Sequence, residues 1–111
     1  MAVAKVSNLA RGRQVMPVNH VVWIKFGAET SAQRIAEHID ALRRLKVEVP
    51  GINHLSVGEN FTDRAHGCTH GLVVELKDKE ALAAYAVHPR HVEVATALRR
   101  DRELWALDYV F

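Results

Sequence analysis

An α+β sandwich, with strands and helices in the order β-α-β-β-α-β, is the fold class this sequence predicts. Three observations carry the prediction. Residues 18–26, 69–76 and 104–111 alternate side chains with the period of two that strands require. Residues 31–47 instead repeat apolar side chains at helical spacing. Pro50-Gly51 and Pro89 then punctuate the chain where one element must give way to the next.

The first strand runs from Val18 to Phe26, with His20, Val22, Ile24 and Phe26 on one face and Val21, Trp23 and Lys25 on the other. Gly27 ends it, and Thr30 or Ser31 can cap the helix that follows. That helix buries Ile35, Ile39, Leu42 and Leu45, and Pro50-Gly51 stops it. Ile52 to Gly58 reads as a weaker strand, with Asn53, Leu55 and Val57 opposing Ile52, His54 and Ser56. Residues 59–67 are polar and loop-like. The third strand, Thr69 to Leu76, sets His70, Leu72, Val74 and Leu76 on one face. Asp78 caps a short helix in which Leu82 and Tyr85 stand three apart. Pro89 suits the first turn of another helix, over about 89–102, with Val92, Ala95 and Leu98 inward. The last strand alternates Trp105, Leu107, Tyr109 and Phe111 with Leu104, Ala106, Asp108 and Val110.

This order is that of the ferredoxin-like sandwich, in which helices cover one face of the sheet. Several strands are apolar on both faces, so the uncovered face is expected to pack on a second subunit as a homodimer. At 111 residues the chain is one domain. Residues 18–111 form it, and residues 1–17 read as an N-terminal extension that is flexible or docks late.

Composition narrows the function. Residues 1–17 hold Lys5, Arg11 and Arg13 and no acid, a charge of +3 against a formal +2 for the whole chain. Residues 18–111 therefore carry −1 and lack the basic stripe that nucleic acid demands. The chain has no apolar run near the roughly 20 residues that cross a membrane, and no signal-peptide block at its start. The single cysteine, Cys68, forms no internal disulfide and suits a cytoplasmic location.

The chemistry concentrates in Tyr85-Ala-Val-His88-Pro89-Arg-His91, a phenol and two imidazoles around a helix-breaking proline. His91 falls in the first turn of a helix, whose positive end disfavours protonation, which makes it the general-base candidate. Tyr85 can donate a hydrogen bond to an oxygen that gains charge. His20 and His70, on strands taken to be adjacent and parallel, would converge on this pair with His88. They would orient the substrate. The alternative for each is structural: His20 and His70 as satisfied core groups, Tyr85 as packing, His88 as a helix cap. His38, His54 and His66 read as surface residues. Metal binding is the competing use of the same histidines, but they lack an HxH or HExxH spacing and an acid beside them, so neither metal nor cofactor is expected. A Cys68–His70 nucleophile pair lacks the ordering such a pair needs.

Laid out in order, several segments resemble the stress-responsive A/B barrel (Dabb) domain family. They are Asn19-His20-Val-Val-Trp-Ile-Lys-Phe26, Val49-Pro50-Gly51-Ile52, Val57-Gly58-Glu-Asn60, Gly67-Cys-Thr-His70, Tyr85-x-x-His88-Pro89-x-His91 and Leu107-Asp108-Tyr109. The resemblance covers about residues 18–110 and implies a dimeric α/β barrel of two face-to-face sheets. It also looks like a polyketide cyclase of that family, which closes a linear chain by cofactor-independent aldol condensation. That cyclase's acid–base tyrosine and histidine fall on Tyr85 and His91, and its pocket histidines on His20 and His70. The pocket wall departs from it: His38, Ile39 and Leu42 stand at its aromatic positions, and Arg102 stands in place of a tryptophan. Two functions follow as expectations. One is cyclase- or isomerase-type acid–base chemistry on a small, partly apolar carbonyl compound. The other is a non-catalytic stress-response or ligand-binding protein with structural histidines.

Overall fold

The computed structural model describes residues 16–111, so all of the extension read over 1–17 except its last two residues lies outside the described part. The elements are β1 (Val18–Phe26), α1 (Ala32–Glu48), β2 (Ile52–Glu59), β3 (His70–Leu76), α2 (Lys79–Val87), α3 (Pro89–Arg99) and β4 (Arg102–Val110). One sheet in the order β2-β3-β1-β4 carries the helices on one face, the ferredoxin-like arrangement. Ser31 caps α1 by accepting from the Arg34 N–H, and Asp78 caps α2 by accepting from the Ala81 N–H, each filling a donor left open by the helix start. The third helix ends at Arg99, earlier than the expected 102, because Arg102 is already paired with Phe26 in the sheet.

Every neighbouring pair of strands is antiparallel, which corrects the parallel relation expected of β1 and β3. The connection through α1 is what runs β2 parallel to β1; the chain then doubles back, so β3 is inserted between them in reverse. The register decides where the histidines lie. His20 pairs with Val74, whereas His70 pairs with Ile24, four residues farther along β1. At about 3.3 Å per residue that separates them by roughly 13 Å along the strand.

The core lies between the helices and the face bearing Val22, Ile24, Phe26, Leu72, Val74 and Leu76. An irregularity between Ile52 and His54 lets Ile52, Leu55 and Val57 all pair with core positions of β3. Strict alternation had put Ile52 on the opposite face from Leu55 and Val57. In α3 the buried stripe is Val94 and Leu98, while Val92 faces solvent, contrary to expectation.

His38 is also not a surface residue. It is buried, its ring stacks on Phe26 at 5.7 Å, and its Nε2–H donates to Asp101 at 2.7 Å. Arg34 donates to the same carboxylate oxygen at 2.8 Å, so the pair fastens α1 to the turn between α3 and β4. His54 and His66 are exposed, as expected.

Gly51 follows Pro50 with φ at +90°, in the left-handed region, and a β-carbon there would stand 3.0 Å from the Ala81 β-carbon. Gly51→Ala is expected to cost about 1–3 kcal/mol in strain and crowding, read as a lowered midpoint of urea unfolding with an unchanged slope.

Candidate functional site

The junction of α2 and α3 is built by Pro89. Lacking an N–H, it cannot bond to the Tyr85 carbonyl, which instead accepts from the His88 N–H at 3.2 Å. The Arg90 N–H is likewise taken out of the α2 ladder, donating at 3.1 Å to Nδ1 of His88, the cap of α3. That leaves the Ala86 carbonyl for a side chain, and His91 Nδ1 lies 3.2 Å from it. A carbonyl only accepts, so this Nδ1 carries the proton and His91 Nε2 keeps the lone pair. His88, Pro89 and His91 of Tyr-x-x-His-Pro-x-His thus each have a local reason for their place.

A cavity of about 230 Å³ lies against this junction, between helices and sheet. His20, Tyr85 and His91 line one part of it, and Val22, Ile24 and Leu98 are among its apolar walls. The Tyr85 and His91 rings are 4.2 Å apart, and His20 meets Tyr85 edge-on at 5.8 Å. Tyr85 is only 2% exposed, and among the described residues nothing hydrogen-bonds its hydroxyl. Burial pushes that phenol up to about 12. Burial also holds His91 below its ordinary 6.5; nearby His20 and His88 add to the effect and the bond to Ala86 opposes it. His91 is therefore neutral at pH 7, and Tyr85 is a donor that keeps its proton.

The structure brings together three of the five residues read from the sequence. His20, Tyr85 and His91 share the cavity; His70 and His88 do not line it. His88 is engaged as the cap of α3. His70 lies in a separate shallow recess between α1 and the ends of β2 and β3, beside Ile35, Ile39 and Glu59. It packs edge-on against Phe26 at 5.2 Å with Nδ1 2.9 Å from the Thr69 hydroxyl, and burial lowers its pKa against the opposing pull of Glu59.

Sequence reasoning missed two polar groups. Asp108 stands opposite His20 across β1 and β4 and accepts from its Nδ1 at 2.5 Å. The carboxylate fixes the His20 ring with Nε2 unprotonated on the far edge in the neutral form. Arg102, which stands in place of a tryptophan in the resemblance, also lines the cavity. The usable signal for Asp108 was its alternation with Leu104 and Ala106, combined with β4 lying antiparallel beside β1. Among the described residues no three His, Cys, Asp or Glu side chains gather as a metal-binding group, and no helix is long and apolar enough to cross a membrane.

Fold and site together define a ferredoxin-like α+β domain with a cavity between its helices and sheet that is lined in part by His20, Tyr85 and His91. The pattern of the Stress Responsive A/B Barrel Domain (Dabb) family matches residues 18–111, and the chain belongs to that family. It is 33% identical over 82 residues to the stress-response A/B barrel domain-containing protein HS1 of Arabidopsis thaliana, spanning 72% of this chain and 75% of that one. A crystal structure of an Arabidopsis thaliana protein is 28% identical, with a TM-score of 0.77 over 83% of this chain and 92% of that one. A dimeric ferredoxin-like protein of unknown function from Jannaschia sp. is also 28% identical, with a TM-score of 0.73 over 84% and 97% of the respective chains.

Proposed function

We propose that this protein is a cytoplasmic homodimer that binds a small, partly apolar carbonyl compound and abstracts a proton beside the carbonyl, as a cofactor-independent cyclase or isomerase does. The observation that carries this reading is the Tyr85 hydroxyl, borne on a buried side chain, free of any protein partner and set against a neutral imidazole in an otherwise largely apolar cavity. The hydroxyl is left free at the cavity, so a ligand oxygen there can accept its hydrogen bond without displacing a protein partner. His91 Nε2 would take the proton on carbon, while Tyr85 donates to the enolate oxygen as charge develops there. In a cyclisation the enolate carbon then bonds to a second carbonyl carbon of the same chain, and His91 returns its proton to the new alkoxide. His20, steadied by Asp108, orients Tyr85 or the substrate oxygen. His70 and His88, outside the cavity, stand as supports of the β3 end and of the α2–α3 junction. The homodimer is supported by the dimeric Jannaschia relative and by the apolar outer sheet face. Residues 1–17 stand as an extension of the domain.

The test is deuterium exchange beside the ketone of methyl levulinate, a neutral methyl ketone small enough for a cavity of about 230 Å³, which holds roughly eight waters at about 30 Å³ each. Acceleration by wild type, lost in Tyr85→Phe and His91→Ala, supports the reading; wild-type exchange at the buffer rate sinks it. The pH dependence follows from the two shifts. The base form of His91 predominates above its ordinary 6.5 and is lost as pH falls through its lowered value. Tyr85 keeps its proton up to about 12. Exchange attributable to the protein should therefore fall only on the acid side, below 6.5, with no loss from Tyr85 ionisation up to pH 9.

A second reading is favoured by the stress-response name of the Arabidopsis relative HS1. On that reading the cavity binds its ligand without turnover, and methyl levulinate would shift the protein's NMR signals while its exchange stays at the buffer rate.

A further inference from the structure

The mechanism above leaves one group of the cavity unused. Arg102 opens β4 and lines the same cavity as His20, Tyr85 and His91. Its Nε is buried and has no hydrogen-bond partner among the described residues. The adjacent acid, Asp101, is already taken by Arg34 and His38. The charge closest in effect on Arg102 is a like one, Arg99; burial and that neighbour both make its cation harder to keep. A guanidinium cannot shed its proton at neutral pH, so its buried, unpartnered Nε–H is a standing cost that an anion would remove. The edge made by Nε and one terminal nitrogen is the planar fork that takes a carboxylate with two parallel bonds.

The register sets this fork apart from the acid–base groups. Arg102 pairs with Phe26 and Asp108 with His20, six residues apart along the same two strands, or roughly 20 Å between their α-carbons. The positions between them on the cavity side are Val22, Ile24, Leu104 and Ala106, all apolar. The cavity therefore has a cationic end, an apolar middle and a Tyr/His end.

We propose that Arg102 is the anion subsite of this cavity and that the ligand is an oxo acid, its carboxylate on the Arg102 fork and its ketone toward Tyr85 and His91. The position of the ketone rests on the function proposed above; the anion subsite does not. A lysine would keep the charge but not the fork, and a leucine would keep neither.

The experiment is a titration of the full chain with levulinate and with methyl levulinate, followed by backbone amide NMR signals, in wild type, Arg102→Lys, Arg102→Leu and His91→Ala. Wild type and His91→Ala should bind the acid at least tenfold more tightly than the ester. Arg102→Lys should keep part of that preference and Arg102→Leu should lose it while still binding the ester. Equal affinities for acid and ester in wild type would overturn the subsite without recourse to any variant, as would an acid preference that persists in a folded Arg102→Leu protein. An Arg102-dependent preference with no deuterium exchange of the ester would support the subsite and sink the catalytic reading. Exchange of the ester without acid preference would do the reverse.

Discussion

His91→Ala is expected to slow protein-dependent deuterium exchange on a methyl ketone by about a hundred- to ten-thousand-fold, the range that a positioned general base supplies. The size of the effect follows from how the residue is held. Its Nδ1–H is committed to the Ala86 carbonyl, so the base is one nitrogen in one tautomer rather than a freely turning ring. Alanine removes the base and leaves that carbonyl without its side-chain donor. The lost hydrogen bond is worth about 1 kcal/mol, small against the 5–15 kcal/mol that holds an ordinary domain folded. The variant should therefore fold and bind without exchanging. Tyr85→Phe is the complementary change: it keeps the ring packed against His91 and removes only the donor, for an expected loss of about a hundred- to a thousandfold. A His91→Ala protein that exchanges as fast as wild type would remove the base from the mechanism, and a Tyr85→Phe protein that does so would remove the oxyanion donor.

How much of this was legible beforehand depended on whether a feature is local. The caps at Ser31 and Asp78, the stop at Pro50-Gly51 and the alternation of β1 are each written within a few residues, and they stand where the sequence puts them. The His-Pro junction is local in the same sense, since Pro89 and the His88 cap together decide which carbonyls and N–H groups are released. What needed the sheet was not legible. Whether His70 joins His20 turns on strand direction, and the antiparallel register sends it to another recess. The irregularity at Ile52/His54 breaks a period that a short strand cannot display twice. In α3, Val92–Ala95–Leu98 and Val94–Leu98 both fit a helical stripe, and only packing chooses the second. His38 was legible and misjudged: with Leu42 and Leu45 it sits at helical spacing on the buried face, and its residue type drew it wrongly to the surface. Asp101 is what makes its burial affordable, from 63 residues away.

Leu107→Glu should convert a dimer into a monomer, raising the dissociation constant at least a hundredfold. The helices cover one face of the sheet and leave Trp23, Trp105, Leu107 and Tyr109 between 43% and 58% exposed on the other. These residues are neighbours: Trp23 pairs with Trp105, Val21 with Leu107 and Asn19 with Tyr109 across β1 and β4. A contiguous aromatic and aliphatic patch of this kind is what a two-fold interface buries, about 800 Å² on each partner in a standard case. Leu107 is 58% exposed before pairing, so each one removed from such an interface forfeits about 0.9–1.7 kcal/mol of apolar burial, and two-fold symmetry doubles the loss. The new carboxylates must also be desolvated without a cation. A hundredfold change needs about 2.7 kcal/mol, which the apolar loss and the carboxylate desolvation together supply. The monomer should still fold, because Leu107 lies outside the helix-side core. Sedimentation across a concentration series reads the outcome. A wild type that stays monomeric at every concentration would refute the face-to-face pairing, and a Leu107→Glu protein that remains fully dimeric would move the interface elsewhere on the molecule.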